Sequence, residues 1–150
     1  MLKKIDHIAI IVKDADEAVK LYSAMFGFEV VERVEGPAGE FKAVLVKAGD
    51  ITIEFLQPMT SKGSYARFLE ERGGGLHHVS FLTDNIEKEL KTLKAQGRRL
   101  INEEPMSPAP GTKVAFIHPG ATGNVLIELA QRASSGPKIP PTSMDITWKQ

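Results

Sequence analysis

The sequence predicts an α+β fold: two tandem βαβββ modules forming a curved mixed sheet around a metal-binding cleft. Three observations predict it. A strand–helix–strand pattern near the start returns about seventy residues later with nearly identical internal spacing. Each copy is followed by two alternating strands around a tight turn. Each copy also carries one His on its first strand and one Glu on its last.

The first copy begins with KIDHIAIIVKDADEAVKLYSAMFGFEV. Ile8 to Val12 is an apolar, β-branched strand leading to Asp14, an N-cap candidate. Ala18, Leu21, Tyr22 and Met25 recur at helical spacing, and Gly27 suits the C-terminal stop. Phe28 to Val34 reads as the next strand. Lys42 to Lys47 and Ile51 to Leu56 then alternate around the turn Ala48-Gly49-Asp50.

The second copy begins with GLHHVSFLTDNIEKELKTLKAQGRRLINEEP. Val79 to Leu82 is the strand, and Asp84 or Asn85 the cap. Ile86, Leu90 and Leu93 follow at i, i+4 and i+7, and Gly97 closes the helix. Lys113 to His118 and Val125 to Ala130 follow as strands around Pro119 to Gly123. His7 to Gly27 spans 20 residues and His78 to Gly97 spans 19, so the copies superpose almost residue for residue. The expected organisation is one domain over 3–131, with module 1 at about 3–58 and module 2 at about 75–131. A connecting helix lies between them at about 62–74. A Pro- and Ser-rich tail at 132–150 lacks periodicity and reads as an extension pinned by Trp148.

Composition narrows the function. The chain has 150 residues, 42% of them apolar, enough to bury a core. Lys plus Arg equals Asp plus Glu at 19 each, with no basic stripe, which argues against a nucleic-acid partner. With no cysteine there is no disulfide framework, thiolate metal site or cysteine nucleophile. The apolar run before Lys13 is too short for a signal-peptide core or a membrane span, so a cytoplasmic protein with no membrane partner is expected. No P-loop, dinucleotide fingerprint or nucleophile elbow is present.

Four polar residues then stand out. Side chains alternate faces along a strand. His7 therefore lies with Ala9 and Ile11, and Glu54 with Thr52 and Leu56, opposite Ile51, Ile53 and Phe55. His78 lies with Ser80 and Leu82, and Glu128 with Leu126 and Ala130, opposite Val125, Ile127 and Leu129. The apolar sets suit burial beneath the helices, leaving each charged residue on the cleft side. A lone His at a strand mouth is ordinarily a satisfied core or surface residue, and a lone Glu in a strand ordinarily faces solvent. Four of them at repeat-equivalent places shift the balance to a metal site. Two imidazoles and two carboxylates would neutralise a divalent cation, and a set with no sulfur suits Co²⁺, Ni²⁺, Mn²⁺, Fe²⁺ or Zn²⁺ better than a structural zinc site. His77, adjacent to His78, points the other way and is expected to be hydrogen-bonded at the strand edge.

The segments IDHIAIIV, ITIEFLQP, GLHHVSF, INEEP, KVAFIHP and VLIELAQ resemble the vicinal oxygen chelate superfamily over about residues 3 to 131. Within it, the FIHP segment followed by VLIEL and the run SYARFLEERGGGLHH are most similar to the methylmalonyl-CoA epimerases. The resemblance implies one divalent ion per chain, Co²⁺ first, with Ni²⁺, Mn²⁺ or Zn²⁺ as alternatives. It carries the metal positions onto His7, Glu54, His78 and Glu128, and it implies an acyl-CoA substrate and a homodimer. The implied chemistry is proton abstraction at C2, with Glu128 as first base candidate and Glu40 as second. Lys42 lies nearest the place where some epimerases carry a second carboxylate. His118 is expected to make a structural hydrogen bond. Asn124, where the epimerases usually have Gly, and the prolines of MSPAPGTK depart from the pattern. The runner-up is glyoxalase I, which uses the same donors on a hemithioacetal. A metal-free small-molecule binding module is the alternative outside enzymes.

Overall fold

The computed structural model describes residues 1–133, so all but the first two residues of the expected tail, Trp148 included, lie outside the described residues. The elements run β1 (Leu2–Ile11), α1 (Ala15–Phe26), β2 (Glu29–Glu35), β3 (Phe41–Ala48), β4 (Ile51–Pro58), α2 (Ser64–Arg72), β5 (Gly75–Thr83), α3 (Ile86–Ala95), β6 (Met106–Ala109), β7 (Thr112–Ile117) and β8 (Ile127–Arg132). The order is βαβββ twice with α2 between, the α+β arrangement that the repeat predicts. The chain divides into two compact units. One is His7–His77. The other joins Met1–Asp6 to the described stretch from His78 onward.

In the His7–His77 unit the strands lie in the order β2-β3-β4-β1, with β1 parallel to β4 and the other pairs antiparallel. Asp14 caps α1 by accepting from the Glu17 amide at 3.0 Å, and Gly27 ends it at φ 70°, where a side chain would be strained. Ala15 and Val19 of α1 pack on Val44, Val46 and Phe55, so one face of β3 and β4 forms the core beneath this helix. Gln57, on that same face of β4, accepts a hydrogen bond from the Ala15 amide at 2.9 Å. It satisfies one of the donors that a helix N-terminus leaves unpaired.

The second unit repeats this design. Its strands lie in the order β5-β8-β7-β6, with β5 parallel to β8. Asn85, not Asp84, caps α3, accepting from the Lys88 amide at 2.9 Å. Ile86 and Leu90 pack on Ala115, Ile117 and Leu129. Gln131 accepts from the Ile86 amide at 2.8 Å, the counterpart of Gln57. The surface ion pairs are also duplicated: Lys42 bonds Asp16 in the first turn of α1, and Lys113 bonds Glu87 in the first turn of α3. Asp6 belongs to this unit and pairs with Arg132 at 2.6 Å.

Two sequence expectations are corrected. The segment MSPA, part of the MSPAPGTK stretch that the sequence assigns to no strand, forms β6. It is the outermost strand of its unit's order, where a residue without an amide hydrogen is tolerated. Val125, expected in the buried set, is 40% exposed, because the left-handed turn at Gly123 and Asn124 delays the start of β8 to Ile127. Among the described residues no helix is long and apolar enough to cross a membrane.

Candidate functional site

The parallel pairing of β1 with β4 sets Ala9 beside Glu54, and the antiparallel pairing of β3 with β4 sets Leu45 on its other side. His7, two residues before Ala9, shares that face. The opposite face is filled by α1, so His7 and Glu54 point away from the helix. They are only 2% and 1% exposed, and His7 Nε2 lies 3.6 Å from Glu54 Oε2.

The second unit builds the same arrangement. Ser80 stands beside Glu128 in the β5–β8 pairing, and Phe116 flanks Glu128 from β7. His78 and Glu128 are each 1% exposed, with His78 Nε2 at 3.9 Å from Glu128 Oε2. The Phe116 ring meets the His78 ring edge to face, with centroids 5.4 Å apart, which fixes the imidazole plane. Ser80, with no exposed surface, donates its hydroxyl to Glu128 Oε1 at 2.7 Å.

A buried carboxylate is costly unless a partner compensates it. Two donor atoms each about 2.0–2.2 Å from a shared cation stand about 3–3.5 Å apart. The separations of 3.6 and 3.9 Å are slightly wider than that, and each pair offers one nitrogen and one oxygen. The donor chemistry of both pairs thus fits a divalent first-row cation.

Residues 6–116 match the model of the Glyoxalase/Bleomycin resistance protein/Dioxygenase superfamily. The chain belongs to that superfamily. Methylmalonyl-CoA epimerase, mitochondrial, of Bos taurus is 37% identical over 131 residues, covering 87% of this chain and 75% of the bovine one. The uncharacterized Bacillus subtilis protein YqjC is 32% identical over 130 residues, covering 87% of this chain and 93% of its own. The structure of a Ser-to-Thr variant of Streptomyces coelicolor methylmalonyl-CoA epimerase in complex with 2-nitronate-propionyl-CoA superposes with a TM-score of 0.80 at 28% identity, over 89% of this chain and 97% of that one.

The remaining residues singled out in this superfamily member fall elsewhere. Glu40 is exposed and closes a 3-10 turn over Pro37–Gly39, just before β3. Lys42 lies on the helix side of β3, bonded to Asp16, whose carboxyl is held below its ordinary value by Lys42 first and Arg33 second. His77 is buried between the rings of Tyr65 and Phe68 on α2, at 5.3 and 5.0 Å, rather than at an open strand edge. Burial, helped by the Arg72 charge, pushes its pKa down to about 3, so the ring is neutral. His118 Nδ1 accepts from the Gly120 amide at 3.0 Å, the structural bond expected of it. Sequence reasoning missed Gln57, Gln131 and Ser80. Their signal is the spacing Glu-x-x-Gln in both last strands, and a hydroxyl in the strand position next to a buried Glu.

Proposed function

We propose that this chain is a metal-dependent methylmalonyl-CoA epimerase, holding one divalent cation, Co²⁺ first, through His7, Glu54, His78 and Glu128. One observation carries the reading: each module buries a His and a Glu side by side on the face away from its helix, in a chain 37% identical to an enzyme so named. The C2 hydrogen of methylmalonyl-CoA lies between a thioester and a carboxylate, so its removal leaves an enolate. When bound, the cation would supply the positive charge that stabilises the developing enolate oxygen.

The chain's own residues move the proton. Inversion at C2 needs removal from one face and delivery to the other, hence two acid–base groups. Glu128 takes the first role, since its carboxylate is already held among the buried donors. Glu40, on its exposed turn, is the second group under this reading. By family analogy the working form is a homodimer.

The test follows exchange of the C2 proton of methylmalonyl-CoA in D₂O, with metal-stripped and Co²⁺-reconstituted protein. Exchange only in the reconstituted protein, with interconversion of both epimers, supports the reading. Cation binding without exchange points to a hemithioacetal substrate and glyoxalase I chemistry. Failure to bind any divalent cation overturns both and leaves a binding module.

A further inference from the structure

The two modules are alike in helix caps, ion pairs and buried His–Glu pairs, yet differ in the residues that flank the buried Glu, one of which is polar in the second module only. In the first, the residue beside the buried Glu54 is Ala9; in the second, the residue beside Glu128 is Ser80. Ser80 has no exposed surface, and its hydroxyl reaches Glu128 Oε1 at 2.7 Å. The other oxygen of that carboxylate, Oε2, is the one that lies 3.9 Å from His78 Nε2. A buried hydroxyl needs a partner, and this one directs its donor at Glu128 Oε1, which restricts the rotamer of that carboxylate.

From this we infer that Ser80 is a positioning residue for Glu128: its hydroxyl engages Oε1, fixes the carboxylate rotamer, and assigns Oε2 as the single atom offered to a cation. The inference rests on the metal reading above and refines it. The hydroxyl favours one-oxygen coordination by Glu128 and disfavours a chelating mode through both oxygens. Partners of this kind around metal ligands change affinity by about 10- to 100-fold when removed.

The test compares wild type with Ser80→Ala, Ser80→Cys and Ser80→Thr as full chains. Cysteine keeps nearly the volume and offers a much weaker donor; threonine keeps the hydroxyl. Three quantities are read: Co²⁺ affinity by competition with a chelator, the visible Co²⁺ spectrum, and thermal unfolding of the metal-free proteins. S80A and S80C are expected to bind Co²⁺ about 10- to 100-fold more weakly with a shifted spectrum, and S80T to restore both. Should S80A fold poorly, S80C carries the comparison with little change in volume. Unchanged affinity and spectrum in S80A or S80C overturn the inference. A loss confined to metal-free stability does the same, since it would mean that the hydroxyl serves packing alone. If wild type itself binds no Co²⁺, the metal reading fails, and the positioning role falls with it. That outcome is seen in the wild-type titration before any variant is made.

Discussion

The side-chain oxygen of Gln131 accepts the Ile86 backbone amide at 2.8 Å, so the strand that carries Glu128 also anchors the start of α3. Gln57 does the same for Ala15 and α1 from the strand that carries Glu54. Gln follows Glu at the third position, an odd offset. One strand therefore turns a carboxylate to one side and a helix anchor to the other. Replacing Gln57 or Gln131 by Leu should lower stability by about 0.5–1.5 kcal/mol each, measured by urea unfolding. Cation affinity should change far less than it does on loss of a His or Glu.

Under the proposed chemistry, His7→Ala and Glu54→Ala should each weaken Co²⁺ binding by more than about 100-fold, beyond the usual effect of a supporting residue. Chelator treatment of wild type should abolish C2 exchange, and Co²⁺ should return it. Isotope exchange with a matched metal titration checks both.

Glu128→Gln keeps the shape of the side chain but lowers its basicity. It should reduce exchange by about 100-fold or more if Glu128 is the base. Glu40→Gln should block interconversion of the two epimers while sparing exchange from one of them. Single-epimer exchange followed by NMR separates the two outcomes.

His77 gives a pH dependence of stability. Its folded pKa is about 3 against 6.5 for the free side chain, so below pH 6.5 the unfolded chain takes up a proton that the folded chain refuses. The contribution is complete above 6.5 and is lost as pH falls toward 3, at up to about 1.4 kcal/mol per pH unit. His77→Phe should flatten that part of the profile, as read by chemical unfolding between about pH 4 and 7.

Gly74 is the glycine of its triplet with the least room. Its φ is +99°, and a Cβ there would stand 2.7 Å from the Ile11 carbonyl oxygen. Gly74→Ala should therefore cost about 1–3 kcal/mol through backbone strain and crowding, seen as a lower unfolding midpoint.

Much of this was legible from the sequence because the repeat supplied its own control. Asp14, Gly27 and the His–Glu pairs gained weight by recurring at matching intervals, and they lie where that recurrence predicts. What escaped was set by tertiary context. A Gln in a strand reads as solvent-facing, and only the packed helix shows why Gln57 and Gln131 are there. Pro108 sits within β6, which the sequence pattern did not mark as a strand; an outermost strand needs only one of its edges to pair. Val125 fitted the alternation and lost its place to a left-handed turn that backbone conformation alone decides.

The bond between Asp6 and Arg132 spans 126 positions of the chain, and both side chains are nearly covered. Residues 1–6 thus belong with the later unit, whose last strand is synthesised some 126 residues after Asp6. At about 5–20 residues per second, the wait is on the order of ten seconds. During it, the start of β1 must be kept from pairing wrongly with other strands. The charges of Lys3, Lys4 and Asp6 suit that interval: a charged leading edge is a poor template for aggregation. The later unit, which borrows its first residues from the start of β1, is in the order of its birth completed only by its last strand.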